Sequence, residues 1–382
     1  MDANGAGIEA PVTFRALLRG ESALVPLGAS AALFLVVGQR WLAILPEVVM
    51  SSFAFAWLFG MIIVGSMSVV RHAENLAEIL GEPYGTLILT LSVSAIEIVT
   101  LAIVMTTGAE NPALARDTMF SVVMLCLNGL IGASLILGAL KYEEQDYNLR
   151  GANAYLSVIV SLAVFGLVVP NFTFTTPGPT FSGPQEGFLV VMCIGLYTVF
   201  LAIQTTRHRA FFVEHGEKVD DDDVVPGPAR DWGVVRLHVA FLVVYLALSL
   251  YLVEKLAVLL DHGLDELGAP PAFGALIVAA LVLAPEGLSG IQAALANRMQ
   301  RAVNILLGSA LATLALTIPA VVMIGFYHHT TVVLGLDAIE QAMLLLTLFV
   351  SSITYTSGRT NVLQGAVHIM LLLAYLMLII WH

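Results

Sequence analysis

Two glutamates lie inside stretches that are otherwise almost wholly apolar or hydroxyl-bearing: Glu97 in "TLILTLSVSAIEIVTLAIV" (86–104) and Glu286 in "LVLAPEGLSGIQAALANR" (281–298). An uncompensated charge at the middle of an apolar span costs roughly 3 kcal/mol, and such residues mark ion or proton paths. No lysine or arginine falls deep in any apolar stretch to neutralise either acid. The chemistry open to such a carboxylate is exchange of a proton for a metal cation, since each binds the same ionised group.

Uncharged oxygens are spaced to support that chemistry. At 100° per residue, Thr86, Thr90, Ser94, Glu97 and Thr100 share a stripe of about 120° on one helix. Ser309, Thr313 and Thr317 recur every four residues in "NILLGSALATLALTIP", and Ser121, Asn128 and Gly132 share a face in "FSVVMLCLNGLIGASL". Asn128, Ser309 and Thr313, with Ser94 and Thr90, are the candidates to join the two acids in binding a cation or proton; Ser121 and Thr317 rank lower. Small-residue stripes are also ordinary packing seams between membrane helices. Pro285 and Gly287 flank Glu286 and should disturb its helix, freeing carbonyls beside the carboxylate. His72, near Glu74 and Glu78, reads as a solvated residue at a helix end, with a relay or gating role as the alternative. "GLSG" at 287–290 has the form used by intramembrane serine proteases, with His368 as a conceivable base, but that reading leaves both glutamates unexplained.

The elements that must position these residues are helices in a bilayer. The chain is 58% hydrophobic and 12% charged over 382 residues, more apolar surface than a soluble protein of this size hides from water. Eleven stretches are long enough to span: about 23–38, 49–70, 85–107, 118–140, 153–170, 187–205, 233–253, 272–297, 302–325, 334–354 and 362–381. With the N-terminus inside, 13 of the 16 lysines and arginines fall on the cytoplasmic side, leaving Arg40, Arg116 and Lys255 outside. The positive-inside bias therefore gives a multi-pass protein of the inner membrane with a cytoplasmic N-terminus and a periplasmic C-terminus. Cys126 and Cys193 lie in apolar spans and read as packing residues. The net charge of −12 excludes nucleic acid as a partner and suits cations.

The longest hydrophilic stretch, 207–231, divides the chain into an N-terminal segment (1–45), a first five-helix unit (46–206), this linker, and a second unit (232–382). The linker carries Glu214, Glu217, Asp220, Asp221, Asp222 and Asp223, either a solvated loop or a regulatory cation sensor. The units repeat: "ENLAEIL" (74–80) returns as "EKLAVLL" (254–260), each followed by a Gly/Pro turn. An aromatic-Gly pair, Tyr84-Gly85 or Phe273-Gly274, precedes each acid at equal spacing. The two acid-bearing helices run in opposite directions, the pattern of inverted repeats around a central polar site.

"GEPYGTLILTLSVSAIE" and "APEGLSGIQAALANRMQRAVNILLGSAL" resemble the two α-repeats of the calcium:cation antiporter superfamily, most of all its bacterial calcium/proton exchanger branch, the ChaA-like proteins. The resemblance implies an all-α membrane protein: two inverted five-helix repeats preceded by one extra helix. It implies that Glu97 and Glu286 are the metal ligands, with Asn128, Ser309 and Thr313 as lesser ones. The expected activity is export of cytoplasmic Ca²⁺ in exchange for H⁺ by alternating access, the two long helices at 49–79 and 233–260 sliding to open one side at a time. No cofactor is expected beyond the transported ion, and the sequence holds no phosphate-cradling GxxxxGK[ST]. Where many relatives have Gly-Asn before each acid, this chain has Ser94-Ala95-Ile96 and Leu283-Ala284-Pro285. Na⁺/H⁺ or K⁺/H⁺ exchange by the same fold is the alternative, as the branch is also associated with it.

Overall fold

The computed structural model describes residues 20–36, 48–80, 84–107, 112–213, 232–328 and 330–381. The acidic residues Glu214, Glu217 and Asp220 to Asp223, and the Thr90 side chain, lie outside what is described. The described residues form eleven helices: α1 Leu24–Val36, α2 Val48–Leu80, α3 Tyr84–Thr107, α4 Leu114–Tyr142, α5 Leu149–Leu167, α6 Gly183–Arg207, α7 Trp232–Leu267, α8 Pro271–Leu295, α9 Met299–His328, α10 Ala338–Thr354 and α11 Val362–Ile380. Eight are long and apolar enough to cross a bilayer; α1, α10 and the described part of α3, Leu91–Met105, are shorter apolar helices. All-helical architecture is what a bilayer demands, because each backbone N–H must find its partner inside its own segment. Helix starts are set by side chains that satisfy the free N–H groups, with capping boxes at Ser182, Asp337 and Asn361.

Hydrogen bonds between loops fix which helix ends lie together. On one side, Lys141 and Tyr142 donate to the Leu295 carbonyl, Gln145 to the Ala294 carbonyl and the Asn297 side chain, and the Asn148 backbone N–H to Gln300. Asn304 donates to the Phe212 carbonyl, so the end of α6 joins the same side, the linker side. On the opposite side Arg116 donates to the Gly335 carbonyl and Asn171 to that of Leu336. Asn297 has a left-handed backbone (φ 60), which asparagine tolerates better than most residues, and it ends the turn that reverses the chain between α8 and α9.

The apolar interior is divided. α1, α2 and α7 share one cluster, built on Leu27, Leu58, Ile62, Tyr245 and Leu252. α4, α5, α9 and α11 anchor the other. Only α3 and α8 contribute substantially to both: Ile96 and Leu281 pack with the first, Leu101 and Leu283 with the second. The two helices that carry the acids are thus wedged between a three-helix group and a larger body.

Helix α8 runs unbroken from Pro271 to Leu295, so the disturbance expected at Pro285 stays within a continuous helix. The cost is local: the Leu281 carbonyl, one turn earlier, loses its usual N–H donor.

Gly132 and Gly365 bring α4 and α11 into backbone contact; a Cβ on Gly365 would lie 2.8 Å from the Gly132 carbonyl oxygen and 2.9 Å from the Ile136 nitrogen. Gly365→Leu is expected to force these helices apart and lose about 1–3 kcal/mol, read as a lower unfolding temperature of detergent-purified protein. Gly60→Ala, with nothing within 4 Å of the added carbon, should leave that temperature in place.

Candidate ion-binding site

Glu97 is buried at mid-α3 and faces α9, whose helix widens to a π-turn at Thr313–Thr317. The hydroxyl of Thr313 donates to Glu97 Oε2 at 2.9 Å and that of Thr317 to Oε1 at 3.1 Å. A π-turn inside a longer helix is a frequent mark of a functional site; here it presents two hydroxyls to the two oxygens of one carboxylate.

The repeat-related π-turn, Leu125–Leu130 of α4, packs against α8. It offers no hydroxyl. Leu130 lies against Gly287, and the Cys126 thiol, which sits within the electrostatic reach of Glu286, donates to the Leu306 carbonyl. Glu286 Oε2 is buried and has no hydrogen-bond partner among the described residues. The two carboxylates are close enough for the charge of Glu97 to act on Glu286.

Both acids line one cavity of about 260 Å³. Ser94, Ser289 and Ser309 share it, with Glu74, Gln204 and Asn304 toward the linker side, where Asn304 reaches Phe212. Among the described residues no lysine or arginine lines it. A larger cavity of about 550 Å³ at the opposite side is bounded by Arg116, Asp117, Asp261, Asp265 and Glu340, and neither Glu97 nor Glu286 is part of its wall. The cavity that holds the carboxylates reaches toward the linker side through Gln204 and Asn304. Among the described residues no three His, Cys, Asp or Glu side chains converge as a metal cage. A cation here would rest on two carboxylates and complete its shell with hydroxyls, carbonyls and water, the donor set of a hard ion.

Of the residues singled out in the sequence, Glu97, Glu286, Ser94 and Ser309 come together in this cavity, and Thr313 joins them through Glu97. Asn128 does not. It donates to Thr347 at 2.8 Å, accepts at 3.1 Å from His368 Nδ1, and is not among the cavity residues. Thr317, ranked below Asn128, holds Glu97 directly. Glu74 and Ser289 also line the wall; the signals for them in the sequence are that Glu74 opens the repeated ENLAEIL and that Ser289 lies three residues from Glu286. His368, the histidine considered as a base for Ser289, is bound instead to Asn128 and to Thr354. His72 is 1% exposed, so its expected solvation at a helix end is wrong: the N-terminal segment covers it.

The model of the sodium/calcium exchanger protein family matches residues 50–206 and 237–381, leaving out the segment between the halves. The sodium-potassium/proton antiporter ChaA of Escherichia coli (strain K12) is 40% identical over 319 residues, 83% of this chain and 86% of that one. The Ca²⁺/H⁺ antiporter ChaA of Bacillus subtilis (strain 168) is 24% identical over 312 residues, 81% of this chain and 86% of the other. Among solved structures, native YfkE superimposes with a TM-score of 0.72 at 18% identity, over 94% of this chain and 100% of its own. The H⁺/Ca²⁺ exchanger CAX superimposes at 0.67 and 13% identity, over 94% and 88%. These likenesses give the fold, and the family match over both halves gives the kinship: the chain belongs to the sodium/calcium exchanger protein family.

Proposed function

We propose that the protein is a secondary antiporter of the inner membrane in which a cytoplasmic cation, Ca²⁺, and protons compete for Glu97 and Glu286. The observation that carries this reading is the buried Oε2 of Glu286, beside a Glu97 held by two threonines, in a cavity where the described residues give that oxygen no partner and include no basic side chain. Ionised, the pair repels and lacks a counter-charge; it needs either a cation or protons, and that either-or is the logic of exchange. It acts as a transporter and not as an enzyme, and carries no cofactor. Residues 46–206 and 232–382 serve as the two repeat units. With the linker in the cytoplasm, the arrangement described here is the one open inward. Na⁺(K⁺)/H⁺ exchange is the second reading, favoured by the 40%-identical relative, a sodium-potassium/proton antiporter.

Fluorescence-dequenching transport in everted vesicles, with Ca²⁺, Na⁺, K⁺ and Mg²⁺ titrated separately, ranks the two readings. Glu97→Gln and Glu286→Gln should each abolish exchange of every cation while inserting normally; full activity in both would remove the site. Thr313→Val deletes one charge-assisted hydrogen bond and should weaken apparent cation affinity by about tenfold, the weight of roughly 1.4 kcal/mol. Asn128→Ala, outside the cavity, should cost stability and leave that affinity unchanged.

The sign of the pH dependence follows from competition. Protonation removes the ligand, so the apparent KM for the cation should fall as cytoplasmic pH rises and climb as it drops, with maximal velocity at saturating cation untouched by this competition. Initial rates in everted vesicles measured across cation concentration at each pH test it; a KM independent of pH would contradict shared carboxylates.

A further inference from the structure

A second polar cluster is buried away from the glutamates, where α1 meets the long helices α2 and α7. His72 Nδ1 and His238 Nδ1 are 2.9 Å apart. His72 Nε2 is 3.3 Å from Oε2 of Glu21, a residue just ahead of α1. That same oxygen accepts from Tyr245 at 2.8 Å and from the Arg71 guanidinium at 2.5 Å. His72, His238 and Glu21 are 1%, 6% and 6% exposed. The rings of Phe241 and Tyr245 stack on His72. The charges acting on the histidine pair are those of Glu21 and Arg71, and Tyr245 is the titratable neighbour contributed by α7.

Counting protons on the four ring nitrogens defines what the cluster binds. With both rings neutral, His72 Nε2–H donates to Glu21 and His238 Nδ1–H donates to His72 Nδ1. His238 Nε2 is then free to accept one more proton, and both bonds survive. The bridge becomes a charge-assisted N–H···N bond, shorter and stronger than its neutral form. A further proton would have to enter at His72 Nδ1 and set two N–H groups face to face. The cluster therefore takes up one proton and keeps its geometry.

Its position gives that proton a lever. Val70 and Glu74 of α2 line the cavity of the transport glutamates, and His72, midway between them, points to the opposite face of the same helical turn. The histidine bridge joins that turn to α7, and Glu21 joins it to α1. We propose that His72, His238 and Glu21 form a second proton-binding site, separate from the transported-ion site, through which a bound proton fastens α2 to α7 and α1 and slows departure from the state open to the linker side. Acidification, by filling this site, lowers the turnover of the loaded carrier and not merely its affinity.

The test separates turnover from competition. Its transport arm rests on the Ca²⁺ reading above, and its binding arm does not. ⁴⁵Ca²⁺/Ca²⁺ self-exchange in proteoliposomes, at saturating Ca²⁺ and equal pH on both sides, removes both competition and driving force. The wild type should slow several-fold as pH falls from about 8 to 5.5, while His238→Gln and the double variant His72→Gln/His238→Gln should give a nearly flat profile. In the binding arm, potentiometric titration in a Glu97→Gln/Glu286→Gln background should show one more proton taken up by the protein with both histidines than without them. A wild-type rate that is flat or rises on acidification, histidine variants that scale the rate equally at every pH, or equal proton uptake would each overturn the proposal.

Discussion

A carboxylate that cannot be left alone governs this structure. Glu286 carries a buried oxygen with no partner among the described residues, and Glu97, whose charge reaches it, spends both its oxygens on threonines. Two such groups in an apolar span are tolerable only while something positive is bound, so the site is built to be unstable when ionised and bare. The pair comes from two antiparallel helices, α3 and α8, and in the function proposed above ions reach it from one side at a time.

The divided core explains how access could change without dissolving the site. α3 and α8 pack on both apolar clusters, so Glu97 and Glu286 lie on the seam between the α1–α2–α7 group and the body. Apolar contacts are non-directional, so the long helices α2 and α7 can shift along one another and over α3 and α8 at modest cost, whereas the hydrogen-bonded loops that knit α4, α5, α8 and α9 on the linker side resist it. The two half-sites are not equivalent. The π-turn of α9 offers Thr313 and Thr317, and that of α4 offers Cys126 and Leu130. One acid is thus held by two hydroxyls, while the other keeps an oxygen with no partner among the described residues.

Much of the fold is legible because a bilayer leaves few options: an apolar run of sufficient length must be a helix, and each of the eleven apolar stretches coincides with one of the eleven helices among the described residues. Glu97 and Glu286 were legible because an acid in such a run is expensive and because each follows the same aromatic-glycine spacing. What stayed hidden was which neighbour a polar face meets. Asn128 and Thr317 both lie on polar stripes, yet Asn128 turns to α10 and α11 while Thr317 reaches Glu97. Each sits in a π-turn, which alters the angular register that a 3.6-residue wheel assumes. His72 was misread for another reason: its burial depends on Glu21 and Tyr245, which are 51 and 173 positions away in sequence and leave no local signature.

The most direct test of shared carboxylates is a count of protons. Ca²⁺ is titrated into detergent-purified protein by calorimetry in buffers of different ionisation enthalpy, from about pH 5 to pH 9, so that heat from the buffer reports protons released on binding. Shared use of Glu97 and Glu286 predicts release of up to about two protons per Ca²⁺ at the lower pH values, with affinity strengthening as pH rises and the release vanishing in Glu97→Gln/Glu286→Gln. Tight Ca²⁺ binding with no proton released anywhere in that range, or the same release from the double variant, would contradict it.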